Sequence, residues 1–123
     1  MSQAGVGPAD LQDLRVSIQR RGTAAVVKLS GSAHMVVSSA LRDQLVGLVD
    51  DNTNELVLDL ADLEFINSVG LGAIIAAHLR CRRHNGVVKV VAPRPAIHEL
   101  LAVTKLTHLF PVHASVEAAL ASN

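Results

Sequence analysis

Asp62-Leu63-Glu64-Phe65-Ile66-Asn67-Ser68-Val69-Gly70-Leu71-Gly72-Ala73-Ile74-Ile75 drops from an apolar strand into a Gly-rich turn and then opens an amphipathic helix. Ser68 stands at the break. There its hydroxyl lies at a helix N-terminus, where unsatisfied backbone N–H groups and the helix dipole favour negative charge and tolerate a phosphoryl group. Chemistry of that kind is done to the chain, not by it. The bland alternative for Ser68 is an N-cap whose oxygen accepts from the next turn, worth about 0.5 to 2 kcal/mol.

Working outward, the helix after Ser68 carries Leu71, Ile74, Ile75 and Leu79 as core positions and gathers Arg80, Arg82, Arg83 and His84 near its end. Cations suit that negative end of the dipole, and the same arginines offer a partner patch. Asn85-Gly86 stops the helix. Gly70 and Gly72 read as tight-turn and close-packing residues. Upstream, residues 55–60 form a short strand of nearly continuous apolar character, interrupted by Asp59, as expected of a strand covered on both faces. Downstream, residues 87–91 repeat that character. Pro93 and Pro95 then introduce a helix bearing Ile97, Leu100 and Leu101, followed by a turn over 104–107, a short strand over 109–112 and a last helix capped by Ser115.

Toward the N-terminus, Leu14, Val16 and Ile18 alternate with Arg15, Ser17 and Gln19, Arg21-Gly22 makes a turn, and residues 23–29 are rich in β-branched side chains. This is an antiparallel hairpin. Ser38 or Ser39 caps a helix with Leu41, Leu45, Leu48 and Val49 on one face. Met35, Val36 and Val37 form an apolar run in a loop beside Ser68, read equally as packing or as a docking surface. Residues 1–13, with Gly5, Gly7 and Pro8, read as a flexible leader, and residues 14–123 as one domain. The expected fold class is α/β: a mixed, mostly parallel sheet with an N-terminal antiparallel hairpin and about four helices packed on it.

Composition excludes several functions. The chain has 123 residues, enough for one core, and half are hydrophobic, yet its only aromatics are Phe65 and Phe110. The core is therefore aliphatic, and base stacking has almost nothing to use. Eleven basic residues balance eleven acidic ones, so the field expected of a nucleic-acid binder is missing. Cys81 is the only cysteine, which rules out an internal disulfide and a thiolate cage and suits a reducing compartment. With neither a signal-like N-terminus nor a stretch of roughly 20 apolar residues, the expectation is a cytoplasmic protein without membrane insertion.

Catalytic motifs fail on spacing. Gly-x-Ser-x-Gly would need a glycine where Ile66 stands. A dinucleotide fingerprint beginning at Gly70 and Gly72 meets Ile75 at its third position, and no lysine follows as a P-loop requires. The six histidines, residues 34, 78, 84, 98, 108 and 113, form no ligand pair with an acidic residue at a known zinc-helix spacing. No nucleophile, base and oxyanion set emerges, so neither an enzyme nor a cofactor or metal is expected.

These residues resemble the STAS domain proteins, and among them the bacterial anti-sigma factor antagonists. The likeness spans residues 14–120 and centres on Leu58-Asp59-Leu60 through Phe65-Ile66-Asn67-Ser68-Val69-Gly70-Leu71-Gly72, where the family typically has an aliphatic strand ending in Asp-Leu, then Phe-Ile-Asp-Ser, a small residue or Thr, and Gly-Leu. Residues 86–93, followed by 97–101 and Thr104-Lys105-Leu106, are similar to the family's fourth strand and next helix. The resemblance implies partner switching. The unphosphorylated antagonist binds an anti-sigma factor that has serine kinase activity, a sigma factor is released, phosphorylation at the family serine reverses this, and a phosphatase resets it. By position that serine is Ser68, with Asn67, Val69, Gly70, Leu71, His34, Met35 and Val36 on the partner-facing surface; a homodimer stays open.

Three departures mark a divergent member. Asn67 replaces the usual Asp and keeps its hydrogen bonding without its charge. Gly31-Ser32-Ala33-His34-Met35 stands where the family commonly has Gly-Glu-Leu-Asp, and His34 supplies no carboxylate. Val69 fills a site often held by Ser or Thr. The first two favour a second reading: a STAS scaffold without phosphorylation, as in a stressosome-like assembly or the regulatory subunit of a lipid transporter.

Overall fold

The alternation at the start of the hairpin sets the first layer: Leu14, Val16 and Ile18 are buried while Arg15, Ser17 and Gln19 face solvent. The computed structural model describes residues 9–11, 14–33, 35–49 and 53–122. Its elements in chain order are β1 (Ala9–Leu11), β2 (Leu14–Arg21), β3 (Ala24–Ala33), α1 (Met35–Leu48), β4 (Glu55–Ile66), α2 (Ser68–Arg82), β5 (Val87–Val91), α3 (Pro95–Val103), a 3-10 turn (Leu106–His108), β6 (Val112–His113) and α4 (Val116–Ala121).

The six strands lie in sequence order. β1–β2 and β2–β3 pair antiparallel, and β3 through β6 pair parallel. The hairpin turns through Gly22, whose φ of +66° is a conformation that glycine adopts without a Cβ penalty. Because each parallel crossover steps the same way across the sheet, right-handed connections put α1, α2 and α3 on one face. There Leu41 and Leu45 of α1, Leu71 and Ile74 of α2, and Ile97 and Leu101 of α3 pack on Val16, Val27, Leu58 and Val90. Phe110 closes this aliphatic core.

The opposite face is only partly covered. Ala119 of α4 packs on Val26, Val57 and Val91. Lys89, 3% exposed, points to the same side and donates to the Ala119 and Ser122 carbonyls at 2.8 and 2.7 Å while pairing with Glu55 at 2.8 Å. A cation thus satisfies the carbonyls at the end of the last helix. Ser115 caps that helix, accepting from the Ala118 N–H at 3.0 Å.

Four sequence expectations change. Ala9–Leu11, read as leader, is an edge strand, too short to display a period. β4 runs to Ile66 instead of ending at Leu60, because two extra residues are absorbed as bulges opposite β3, between Lys28 and Ser30 and between Gly31 and Ser32. The first bulge is held from two sides, by Asp59 accepting from the Ala61 N–H and by Arg94 donating to the Ala61 carbonyl, both at 3.1 Å. α1 begins at Met35, so Ser38 and Ser39 lie inside it and 35–37 form its first turn, not a loop. The last strand is shifted to Val112–His113 from the expected 109–112.

Candidate functional site

β4 ends at buried Ile66, and the chain turns at once into α2. Asn67, not Ser68, is the N-cap. Its backbone is extended (φ −96°, ψ −177°), and its Oδ1 accepts from the Gly70 N–H at 2.8 Å. Its own N–H donates to the Ala33 carbonyl at 3.3 Å, which ties the turn to the end of β3. Asn and Ser are equally good caps, so the pair Asn67-Ser68 did not show from sequence which of them takes the role.

The assignment matters chemically. With the cap supplied by Asn67, Ser68 becomes the first helical residue, exposed, and its side chain has no hydrogen-bond partner among the described residues. The hydroxyl therefore stands at the positive end of a 15-residue helix without a structural duty. An added anion there faces the amide end of the dipole and breaks no existing bond.

Of the other expected site residues, Asn67 and Val69 are half-buried. Gly70 and Leu71 are buried, and Leu71 belongs to the core, so neither offers its side to a partner. Burial follows from helix period: positions 70, 71, 74 and 78 face the sheet and α1. His34 lies outside the described residues, and of Met35 and Val36 only the helical backbone is described. That backbone begins two residues after Ala33, the residue bonded to Asn67, so the starts of α1 and α2 are neighbours. Phe65, 44% exposed and three residues before Ser68, is a surface aromatic that the sequence reading did not place at the site. Its signal was rarity, as one of two aromatics in the chain. Gly72 is exposed one turn into the helix, with nothing within 4 Å of where its Cβ would stand, which corrects its reading as a close-packing residue.

The far end of α2 differs. Leu79, expected in the core, is 57% exposed, and the inward positions are Ala73, Ala77, His78 and Cys81. Small residues let the helix lie close to its neighbours. His78 meets Phe110 edge-on at 5.3 Å, and burial, with the Arg82 charge beside it, holds its pKa below the ordinary value. Burial also pushes the Cys81 thiol up to about 11, so it stays protonated and is a poor nucleophile at neutral pH. Among the described residues no three His, Cys, Asp or Glu side chains cluster as metal ligands, and no helix is long and apolar enough to cross a membrane.

Residues 15–119 match the STAS domain family. A putative anti-sigma factor antagonist, BtrV, from Bordetella bronchiseptica is 29% identical over 94 residues, covering 76% of this chain and 81% of that protein. An anti-sigma F factor antagonist from Paenibacillus polymyxa is 27% identical over 102 residues, covering 82% and 87%. The crystal structure of an anti-sigma factor antagonist from Mycobacterium paratuberculosis superimposes with a TM-score of 0.78 at 30% identity, covering 88% of this chain and 92% of that one.

Proposed function

The chain belongs to the STAS domain family, and from that premise we propose that it acts as an anti-sigma factor antagonist in a partner-switching pathway, with Ser68 as the switch. Unmodified, the surface at the start of α2 docks on an anti-sigma factor that has serine kinase activity. The kinase transfers the γ-phosphoryl of ATP to the Ser68 oxygen, ADP leaves, and the hydroxyl proton passes to a base of the kinase; metal and base both come from the partner. The chain is then substrate and ligand, not enzyme, works in the cytoplasm, and is reset by a phosphatase.

The observation that carries this reading is the exposed Ser68 hydroxyl at the first position of α2, relieved of capping by Asn67. A phosphoryl group adds about −1.5 to −2 charge there. At the helix N-terminus the fold tolerates that charge, while a docked partner surface loses contact through desolvation and repulsion. Asn67 fills the place of the family's usual Asp and keeps the cap bond, so the site retains its geometry with one negative charge fewer.

Binding of the purified anti-sigma factor to three forms of the protein tests the proposal. Wild type and Ser68→Ala are expected to bind alike, and Ser68→Asp to lose binding. Equal binding of all three would contradict the switch and favour the scaffold reading, for which the absence of a carboxylate at Asn67 speaks.

A further inference from the structure

Between the outer faces of α1 and α2 lies an open cleft of about 220 Å³, lined by Arg42, Val46, Ala76, Leu79, Arg80 and Arg83. It sits at the opposite end of α2 from Ser68; twelve residues at 1.5 Å each put Arg80 roughly 18 Å along the axis. The helix dipole accounts for arginines at 80 and 83. It does not account for Arg42, which comes from the interior of α1 and still converges on the same cleft. Three like charges gathered from two helices repel one another, and among the described residues no carboxylate lines the cleft.

The three guanidiniums are not engaged equally. Arg80 spends its Nε on the Val49 carbonyl at 3.0 Å, which fixes the stem and leaves the terminal nitrogens without a hydrogen bond among the described residues. The side chains of Arg42 and Arg83 have no hydrogen bond or ion pair among the described residues. Beneath them the floor is aliphatic, and Leu79 at the rim is 57% exposed, second only to Val103 among the described large hydrophobic residues. Cations around an apolar floor match a ligand that is anionic at its edges and aliphatic at its centre. The opening is smaller than the roughly 300–1,000 Å³ of small-molecule pockets and suits one or two inserted side chains.

We propose that this cleft is a second docking surface, which takes an acidic segment of a partner protein that lays an aliphatic side chain against Leu79 and Val46 while carboxylates pair with Arg42, Arg80 and Arg83. It is independent of Ser68 and of its modification.

The probe is a synthetic helical peptide of about 15 residues with Leu at i and i+4 flanked by Glu, titrated into the ¹⁵N,¹³C-labelled full chain by NMR. A Lys-for-Glu version of the peptide and inorganic phosphate serve as comparisons. Binding is expected to move the side-chain Nε signals of Arg42, Arg80 and Arg83 and the Leu79 methyls and to leave the Ser68 amide unmoved. Arg42→Glu with Arg83→Glu should weaken it by about tenfold or more, at unchanged fold as judged by the remaining spectrum. Leu79→Ser, which keeps every charge, should weaken it about fivefold. The proposal is overturned if the acidic peptide leaves the cleft signals in place, if phosphate alone or the Lys peptide moves them as far, or if the charge-reversed and Leu79→Ser proteins bind like wild type.

Discussion

The two ends of α2 are built on opposite plans. At the N-terminal end a neutral side chain caps the helix, and the next residue carries a hydroxyl with no structural task. At the C-terminal end the backbone itself is locked: the Gly86 N–H donates to the Cys81 carbonyl at 2.8 Å, Asn85 takes φ +59°, and Val87 donates to Asn54. One helix thus joins an end that carries an unengaged hydroxyl to an end whose backbone is locked in place. A group added to Ser68 at the first would break no hydrogen bond among the described residues, whereas the second fixes where α2 lies.

The sharpest way to break the contrast is Gly86→Ala. A Cβ at that position would stand 2.8 Å from the Asn54 carbonyl oxygen and 3.1 Å from that of Cys81, both backbone atoms that cannot swing away. We expect a loss of about 2 kcal/mol, seen as a lowered urea midpoint, whereas Ser68→Ala at the other end stays within about 0.5 kcal/mol of wild type.

Asn67→Ala comes next. It removes the bond to the Gly70 N–H and is expected to cost about 1 kcal/mol in the same measurement, while Asn67→Asp keeps the bond and adds a charge that suits the dipole. If Ser68 rather than Asn67 capped the helix, Asn67→Ala would be silent and Ser68→Ala would cost the same 1 kcal/mol.

Much of this was legible in the sequence, and the misses have specific causes. The hairpin alternation of residues 14–19 and the break at Asn67-Ser68 are strong local signals, and the structure has a hairpin and a helix start at those positions. The extension of β4 was hidden because each bulge resets the two-residue period, so Asp62 and Glu64 read as the end of a strand. Leu79 read as core because it continues the spacing from Leu71 and Ile75, yet beyond Ile74 α2 packs through Ala77, His78 and Cys81, which carry no aliphatic stripe. The start of α1 at Met35 has no Ser, Thr, Asp or Asn immediately before it to announce it.

Gly72→Ala sharpens the contrast with Gly86. Gly72 is exposed inside the helix with open space where a Cβ would go, so alanine should stabilise the protein by up to about 1 kcal/mol in the urea midpoint. Two glycines of one segment therefore respond with opposite signs to the same substitution.

The smallest effect concerns His78. Its folded pKa lies below its ordinary value of 6.5, chiefly through burial and then through Arg82, so the unfolded chain binds the proton more readily. The stability linked to neutral His78 is fully present above about pH 6.5 and is lost as pH falls through the folded pKa. Thermal melts between pH 7.5 and 5 should show a shallower acid decline in His78→Gln than in wild type, and equal slopes would remove His78 from the account.

The central claim is that Ser68 is a free alcohol poised for phosphorylation. Incubating the protein with its anti-sigma factor kinase and ATP, followed by mass mapping of the peptides, tests it most directly. The account predicts a single phosphoryl group on Ser68 and none on Ser68→Ala. A phosphoryl group on another Ser or Thr with Ser68 unmodified would contradict it.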